Sequence, residues 1–132
     1  MKLIRRIVIV FAFLWLLVAL SPALRAAEPF RMVILFDFWV HEKAMPAGEY
    51  QINFGPDALQ IKSELGSAYL LTPVSRSMRA TPRLVFRKYG SEYFLAEIWT
   101  ENGIRRISPG EREEELIERG VRPERTTLTA RR

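Results

Sequence analysis

The chain has 132 residues, enough for one domain, and a formal net charge of +5. Four of its 20 basic residues lie in the first 26 positions with no acidic residue, which leaves 16 basic against 15 acidic side chains in the remainder. Lys and Arg alternate there with Glu and form no dense basic patch, so we expect no nucleic-acid partner. The absence of cysteine excludes disulfides, thiolate metal sites and a cysteine nucleophile.

Residues 1–26 have the order of a secretory signal peptide. Basic residues precede an apolar run of 14 residues at 7–20, and a Ser-Pro pair and small residues follow up to Ala26. A membrane-spanning helix needs about 20 apolar residues, so the run is short for a span. We predict export to the periplasm or the exterior, with cleavage after Ala26 and no stable membrane span. The alternative is an uncleaved anchor that reaches Leu24.

From Phe30 onwards the apolar residues alternate with a period of two, which predicts strands. The predicted strands are 34–40, 49–54, 59–62 and 68–72. Gln51, Asn53, Gln60 and Lys62 fall on the outward side of this alternation. Before the second strand, Pro46-Ala47-Gly48 predicts a hairpin turn in which Gly48 has a positive φ.

The segment 82–100 gives the strongest hairpin signal, with Gly90-Ser91 suited to a two-residue type II′ turn. That turn would pair Tyr89 with Glu92, Arg87 with Phe94, and Val85 with Ala96. One face of this hairpin is mainly apolar and the other is mixed, so the mixed face needs a cover or a partner. The candidate interaction surface on that side comprises Trp39, Val85, Arg87, Tyr89, Phe94 and Ile98.

After a last short strand at 104–107, the sequence pattern changes from that of strands to that of a helix. Ser108 and Pro109 predict a capped helix at 109–120 that ends at Gly120. Its glutamates at 113–115 are expected on a solvated face, and its few apolar residues predict weak docking at best. Residues 121–132 are expected to form a flexible charged tail.

These elements together predict an all-β domain over residues 30–108, followed by the short helix at 109–120. The expected architecture is a small antiparallel meander of about seven strands, curled into either a barrel or a sandwich.

Two longer blocks, "FDFWVHEKAMPAGEYQI" and "LVFRKYGSEYFLAEIW", resemble a group of small exported bacterial β-proteins of unassigned function. The resemblance covers roughly residues 33–100 and depends on the combination of F-D-F-x-V, P-A-G-x-Y and L-V-F-x-x-Y-G-x-x-Y-F-L-x-x-I-W. It implies export and a compact β-domain, and it implies no activity. The chain departs from the pattern after Gly110.

Few residues suggest catalysis or metal binding, and we predict no catalytic residue, no cofactor and no metal. His41 is the only histidine, whereas a zinc site needs at least three protein ligands, so we expect an exposed loop histidine. Asp37 is expected on the outer side of its strand, although a buried acid or an ion pair with Arg83 or Arg87 stays open. Trp39 and Trp99 could stack on a sugar, but aromatic residues are also common on sheet surfaces.

The sequence therefore favours an exported, non-catalytic binding or interaction module whose partner is an unknown protein or envelope component. A homo-oligomer is compatible with this interpretation. The alternative is a carrier that holds a small apolar ligand inside a β-barrel.

Overall fold

A computed structural model describes residues 29–75 and 81–130, so the predicted signal peptide lies outside the described residues. Within these ranges the chain forms ten strands and one helix, and no helix there is long and apolar enough to cross a membrane. The elements are β1 Phe30–Ile34, β2 Phe38–Val40, β3 Lys43–Met45, β4 Gly48–Phe54, β5 Ala58–Ser63, β6 Gly66–Leu71, β7 Arg83–Tyr89, β8 Glu92–Thr100, β9 Gly103–Arg106, α1 Glu111–Glu118 and β10 Glu124–Thr129.

The strands form two sheets, which confirms an all-β fold with a short C-terminal helix. The first sheet has the order β1-β4-β5-β6, and the second has the order β10-β7-β8-β2-β3, with β9 also paired to β8. Strand β2 runs parallel to the start of β8, whereas the other pairings are antiparallel. The sheets enclose one core without closing into a barrel. The expectation of a simple seven-stranded meander was wrong in strand number and in connectivity.

The core lies between the two sheets and is built from the inward side of the alternation. Its buried members are Met32, Ile34, Phe38, Val40, Met45, Tyr50, Ile52, Leu59, Ile61, Ala68, Leu84, Phe86, Leu95, Ile98 and Ile107. Phe38 meets both Tyr50 of the first sheet and Phe86 of its own sheet edge-on, at centroid distances of 5.2 and 5.6 Å. Each fully buried large apolar side chain contributes about 1.5–3 kcal/mol, so this layer accounts for most of the favourable free energy.

The predicted strand 34–40 is in fact two strands that belong to different sheets. Strand β1 ends at Ile34 and pairs with β4, and β2 begins at Phe38 and pairs with β3 and β8. Phe36, between them, still packs on the core and stacks on Tyr93 at 3.8 Å between ring centroids. The alternation of apolar residues continues through the bend, which is why the sequence pattern did not show it.

Pro46-Ala47 carries the chain from the second sheet to the first and does not close a hairpin. Strand β3 pairs with β2, while β4 pairs with β1 and β5. The Asp37 carboxylate accepts a hydrogen bond from the Ala47 N–H at 2.8 Å, and the Tyr50 hydroxyl donates to the Pro46 carbonyl. The expectation of a positive φ at Gly48 was wrong, because the described glycines with positive φ are Gly90, Gly103 and Gly120.

The β7–β8 hairpin is confirmed at its turn and differs from the prediction further along. Gly90 has φ 61°, and Tyr89 pairs with Glu92 and Arg87 with Phe94. Beyond these pairs β8 carries one extra residue, Ala96, so that Val85 pairs with Glu97. This β-bulge changes which side chains face the core, and it turns Ile98 inward.

Arg105 of β9 links the second sheet to a loop of the first. It is buried, and its guanidinium donates to the carbonyl oxygens of Gly55, Ala58 and Thr72, at 2.5, 3.0 and 3.2 Å respectively. Burial lowers the pKa of Arg105, and the nearby charge of Asp57 opposes this effect. Because all three acceptors are main-chain groups, the loop conformation and the position of β9 depend on each other.

The C-terminal region differs from the prediction at both ends of the helix. Helix α1 begins at Glu111 after Gly110 and has no side-chain cap, so the expected start at Ser108-Pro109 was wrong. Its end is confirmed: Gly120 has φ 77°, and the N–H groups of Gly120 and Val121 donate to Ile117 and Leu116 in a Schellman motif.

The expected flexible tail contains strand β10, which pairs with β7 over its whole length. The β-domain therefore does not end at residue 108. Thr126, Thr127 and Thr129 favour a strand because they are β-branched, and Leu128 packs on the core. The high content of Arg and Thr with little apolar surface concealed this strand, since an edge strand of a sheet needs few apolar residues.

Gly48 and Gly103 differ in the space around them and in backbone conformation, and substitution with alanine tests this difference. A Cβ at Gly48 meets nothing within 4 Å, whereas a Cβ at Gly103, which has φ 143°, collides with the Ser75 carbonyl oxygen. We expect Gly48→Ala to leave stability unchanged or raise it by about 0.5 kcal/mol. Gly103→Ala should lower stability by at least about 2 kcal/mol. Urea unfolding midpoints measure both, and equal losses in the two variants would contradict this description.

Candidate functional site

The mixed face of the hairpin is covered by the protein's own helix. Leu116 of α1 packs into a buried cluster with Tyr89 and Phe94, and Trp39 lies against its edge. Tyr89 meets Phe94 edge-on at 5.5 Å, and Trp39 stacks on Phe94 at 6.1 Å between ring centroids. A surface that the sequence left open for a partner is therefore largely occupied within the chain.

The six residues of the predicted interaction surface do not lie together on one exposed face. Tyr89 and Phe94 lie under the helix, Ile98 lies in the core between the sheets, and Val85 is also buried. Only Trp39 and Arg87 keep partial exposure. The prediction of an open surface was wrong, because helix α1 covers part of this face and the bulge at Ala96 turns Ile98 to the other side.

A buried carboxylate attaches the helix to the sheet. Glu113 is only 2% exposed, and its two oxygens accept hydrogen bonds from Arg87 Nε at 2.5 Å and Arg87 Nη2 at 3.0 Å. The Tyr89 hydroxyl donates to the same carboxylate at 2.8 Å. We call Glu113, Arg87 and Tyr89 the Glu113 clamp. The prediction that Glu113 lies on a solvated face was wrong, whereas Glu114 and Glu115 are exposed as expected.

The electrostatics of the Glu113 clamp favour a neutral phenol and a charged guanidinium. Burial and the neighbouring Glu113 carboxylate raise the pKa of Tyr89 to about 12. Burial lowers the pKa of Arg87, but the hydrogen bonds and charge of Glu113 outweigh this effect and leave it above the ordinary value. The half-buried guanidinium and the phenol thus satisfy the buried carboxylate of Glu113, as burial of a charged group requires.

Two further contacts hold the start of the helix. Arg112 donates to both carboxylate oxygens of Glu92, at 3.0 and 2.9 Å. Gly110, just before the helix, is so close to the turn at His41 that an added Cβ would lie 2.5 Å from the His41 carbonyl oxygen. His41 itself has φ 55°, and its Nδ1–H donates to the Ser108 carbonyl at 3.0 Å. His41 therefore helps to seat the helix start.

The other candidate side chains are separated from one another. Asp37 is exposed, as expected, and its partner is the Ala47 N–H and not Arg83 or Arg87. Trp99 Nε1 donates to Glu97, and the Arg83 guanidinium lies 4.0 Å from the Trp99 ring centroid, so this ring and Trp39 have different partners. Among the described residues, no group of three or more His, Asp or Glu could hold a metal ion.

The outer face of the first sheet carries a second set of polar contacts. Gln51 donates to Asn53 at 3.1 Å, Asn53 donates to Gln60 at 3.2 Å, and Gln60 donates to the Tyr69 hydroxyl at 2.6 Å. We call these four residues the polar strip. They lie on β4, β5 and β6, on the side opposite the core, and the Tyr69 side chain is 74% exposed.

An open groove of about 600 Å³ adjoins the polar strip. The row Arg31, Gln51, Lys62 and Ser67 crosses all four strands in register beside it. Arg31, Gln51 and Lys62 line the groove together with Glu49 and Glu64. The outward positions of Gln51, Asn53, Gln60 and Lys62 were visible in the sequence alternation. The connection of Gln51, Asn53 and Gln60 with Tyr69 into the polar strip depends on which residues pair across the strands, and the alternation does not reveal that pairing.

A second hollow, of about 470 Å³, lies beside the corner at Pro46 and is bordered by Trp39, Met45 and Tyr93. None of the residues of the Glu113 clamp lines this hollow, and Glu113 is only 2% exposed.

Comparisons with protein-family models, with curated proteins and with solved structures find no significant match. The resemblance to small exported β-proteins stays a prediction. Any functional conclusion depends on the geometry of the chain itself.

The contribution of the Glu113 clamp to stability can be measured with a neighbouring control. Glu113→Gln removes the charge that pairs with Arg87, and we expect a loss of about 2–3 kcal/mol in the free energy of unfolding. Glu114→Gln, on the exposed side of the same turn, should change it by less than about 0.5 kcal/mol. Urea titrations of both variants test this, and similar small effects would contradict a docking role for Glu113.

The raised pKa of Tyr89 predicts a loss of stability in alkali. The folded state holds Tyr89 neutral to about pH 12, whereas the unfolded chain ionises near its ordinary pKa of 10.0. The stabilising contribution is therefore complete below pH 10 and is lost as the pH rises from 10 towards 12. Urea midpoints across this range should fall more steeply for the unaltered protein than for Tyr89→Phe. Parallel curves for the two proteins would refute the assignment.

Proposed function

We propose that the protein is an exported, non-catalytic binding module that contacts an envelope component through the outer face of its first sheet. The observation that carries this proposal is the polar strip, an ordered set of polar side chains on a solvent-facing sheet. Ordered side-chain hydrogen bonds on a surface reduce the entropy lost on binding, which favours recognition.

The structure offers little support for catalysis in the described residues. The Glu113 clamp contains a carboxylate, a guanidinium and a phenol, which are groups that enzymes use. However, a catalytic acid or base must come within hydrogen-bonding reach of its substrate, and Glu113 is buried under the helix. A docking role accounts for its contacts without a reaction.

The alternative, a carrier of an apolar ligand, required a barrel interior. The two sheets do not close into a barrel, and large side chains fill the space between them. The binding-module proposal needs no such interior, because its contact surface is on the outside.

Exposed apolar residues near the polar strip add to the same surface. On β6, Leu71 is 88% exposed, and on the opposite edge Val33 and Leu35 are also exposed. Large apolar side chains that face solvent beside ordered polar groups are common at recognition surfaces.

Photo-crosslinking in cells that make the full chain tests this proposal. A photoreactive phenylalanine analogue replaces Tyr69 on the proposed contact face, and the control carries it at Ile117, an exposed position on helix α1. We expect a high-mass adduct in the envelope fraction from position 69 and none from position 117. No adduct from position 69, or equal adducts from both positions, would overturn the proposal.

A further inference from the structure

We infer that the groove and the polar strip on the first sheet bind a carboxylated polysaccharide. This inference depends on the proposed binding function and names its ligand class.

The polar strip keeps both donors and acceptors for a ligand. Each of the three amides donates one N–H to its neighbour and keeps a second, and the Tyr69 hydroxyl accepts from Gln60 and keeps its O–H. The Gln51 carbonyl oxygen accepts no bond within the strip, and the Asn53 and Gln60 carbonyl oxygens each keep a second lone pair. A ligand that fits this strip presents many oxygen acceptors together with some O–H donors, as the hydroxyl, ring and carboxylate groups of a sugar acid do.

The charges beside the strip favour a ligand with few, regularly spaced negative groups. Lys62 is exposed, and it makes no ion pair with any residue that the structure describes. Arg31 forms an ion pair with Glu49, with 3.8 Å between Arg31 Nη1 and Glu49 Oε1. Glu64 also borders the groove. One free cation and one partly neutralised cation suit a carboxylate on a sugar chain. They do not suit a dense polyphosphate, which the two glutamates would repel.

The shape of the site fits a polymer of sugar rings. The groove of about 600 Å³ is open, so a chain can extend beyond it, and its volume lies within the range of about 300–1,000 Å³ usual for small-molecule sites. The exposed Tyr69 ring offers a flat apolar surface for the apolar face of a pyranose, while its hydroxyl stays in the hydrogen-bonded strip.

Calorimetric titration of the secreted protein tests the ligand class. The probes are oligomers of polygalacturonate, of alginate and of a glucuronate polysaccharide, and the matched control for each is its methyl ester, which has the same skeleton without the charge. We expect at least one of the acidic oligomers to bind, and its affinity to exceed that of its uncharged ester about tenfold, as loss of one charge-assisted contact predicts.

Variants locate the site. Lys62→Gln and Gln60→Leu should each weaken binding about tenfold. Lys88→Gln, which removes a lysine from the second sheet near Tyr93, should leave it unchanged. Circular dichroism confirms that each variant is folded.

The inference is overturned by no binding to any of the three acidic oligomers, by equal affinity for the acid and its ester, or by equal effects of Lys62→Gln and Lys88→Gln. The inference is also overturned if the partner crosslinked at position 69 is itself a protein, which protease digestion of the adduct would show. That last result would retain the binding function, whereas the absence of any Tyr69 crosslink removes the function itself.

Discussion

The buried carboxylate of Glu113 fixes helix α1 on the second sheet and so determines which part of that sheet is covered. Helix α1 buries a single apolar side chain, Leu116, so apolar contact alone would hold it weakly. Removing a carboxylate from water costs several kcal/mol unless its oxygens are satisfied, and three hydrogen bonds from Arg87 and Tyr89 satisfy those of Glu113. The helix is therefore held in one orientation, and Tyr89, Phe94 and the edge of Trp39 are closed to any partner.

The two sheets therefore differ in which of their surfaces are exposed to solvent. The second sheet is covered in part by helix α1, and β10 forms one of its edges. The first sheet has one face on the core and leaves the other to solvent, with the polar strip across its middle. Arg105, which bonds three carbonyls in and beside the first sheet, ties the two sheets together. A contact surface on the first sheet is thus supported by a core and by the second sheet behind it.

Local patterns predicted the parts of the fold that depend on local chemistry. The Gly90-Ser91 turn, the strand alternation at 49–54 and the helix end at Gly120 are each encoded within a few residues. The bend after Ile34, the bulge at Ala96 and strand β10 depend on pairing with distant strands. The burial of Glu113 could not be predicted from local sequence either. Acidic residues are common at a helix start, so Glu113 looks the same as its exposed neighbours in the sequence. Only the fold brings Arg87 and Tyr89 beside it. The candidate surface failed for this reason, while the outward positions of Gln51, Asn53 and Gln60 were correct.

The core and the polar strip are two results of one strand register. Tyr50, Ile52 and Ile61 point into the core, and Gln51, Asn53 and Gln60 lie between them in sequence and point outwards. A slip of one residue in β4 or β5 would exchange the two sets and bury the amides, so the stability of the core holds the strip in alignment. Under the proposed binding function, the hydrogen bonds among the amides need little further ordering when a ligand binds. A substitution that loosens the core beneath β4 should then weaken that binding even though it touches no ligand.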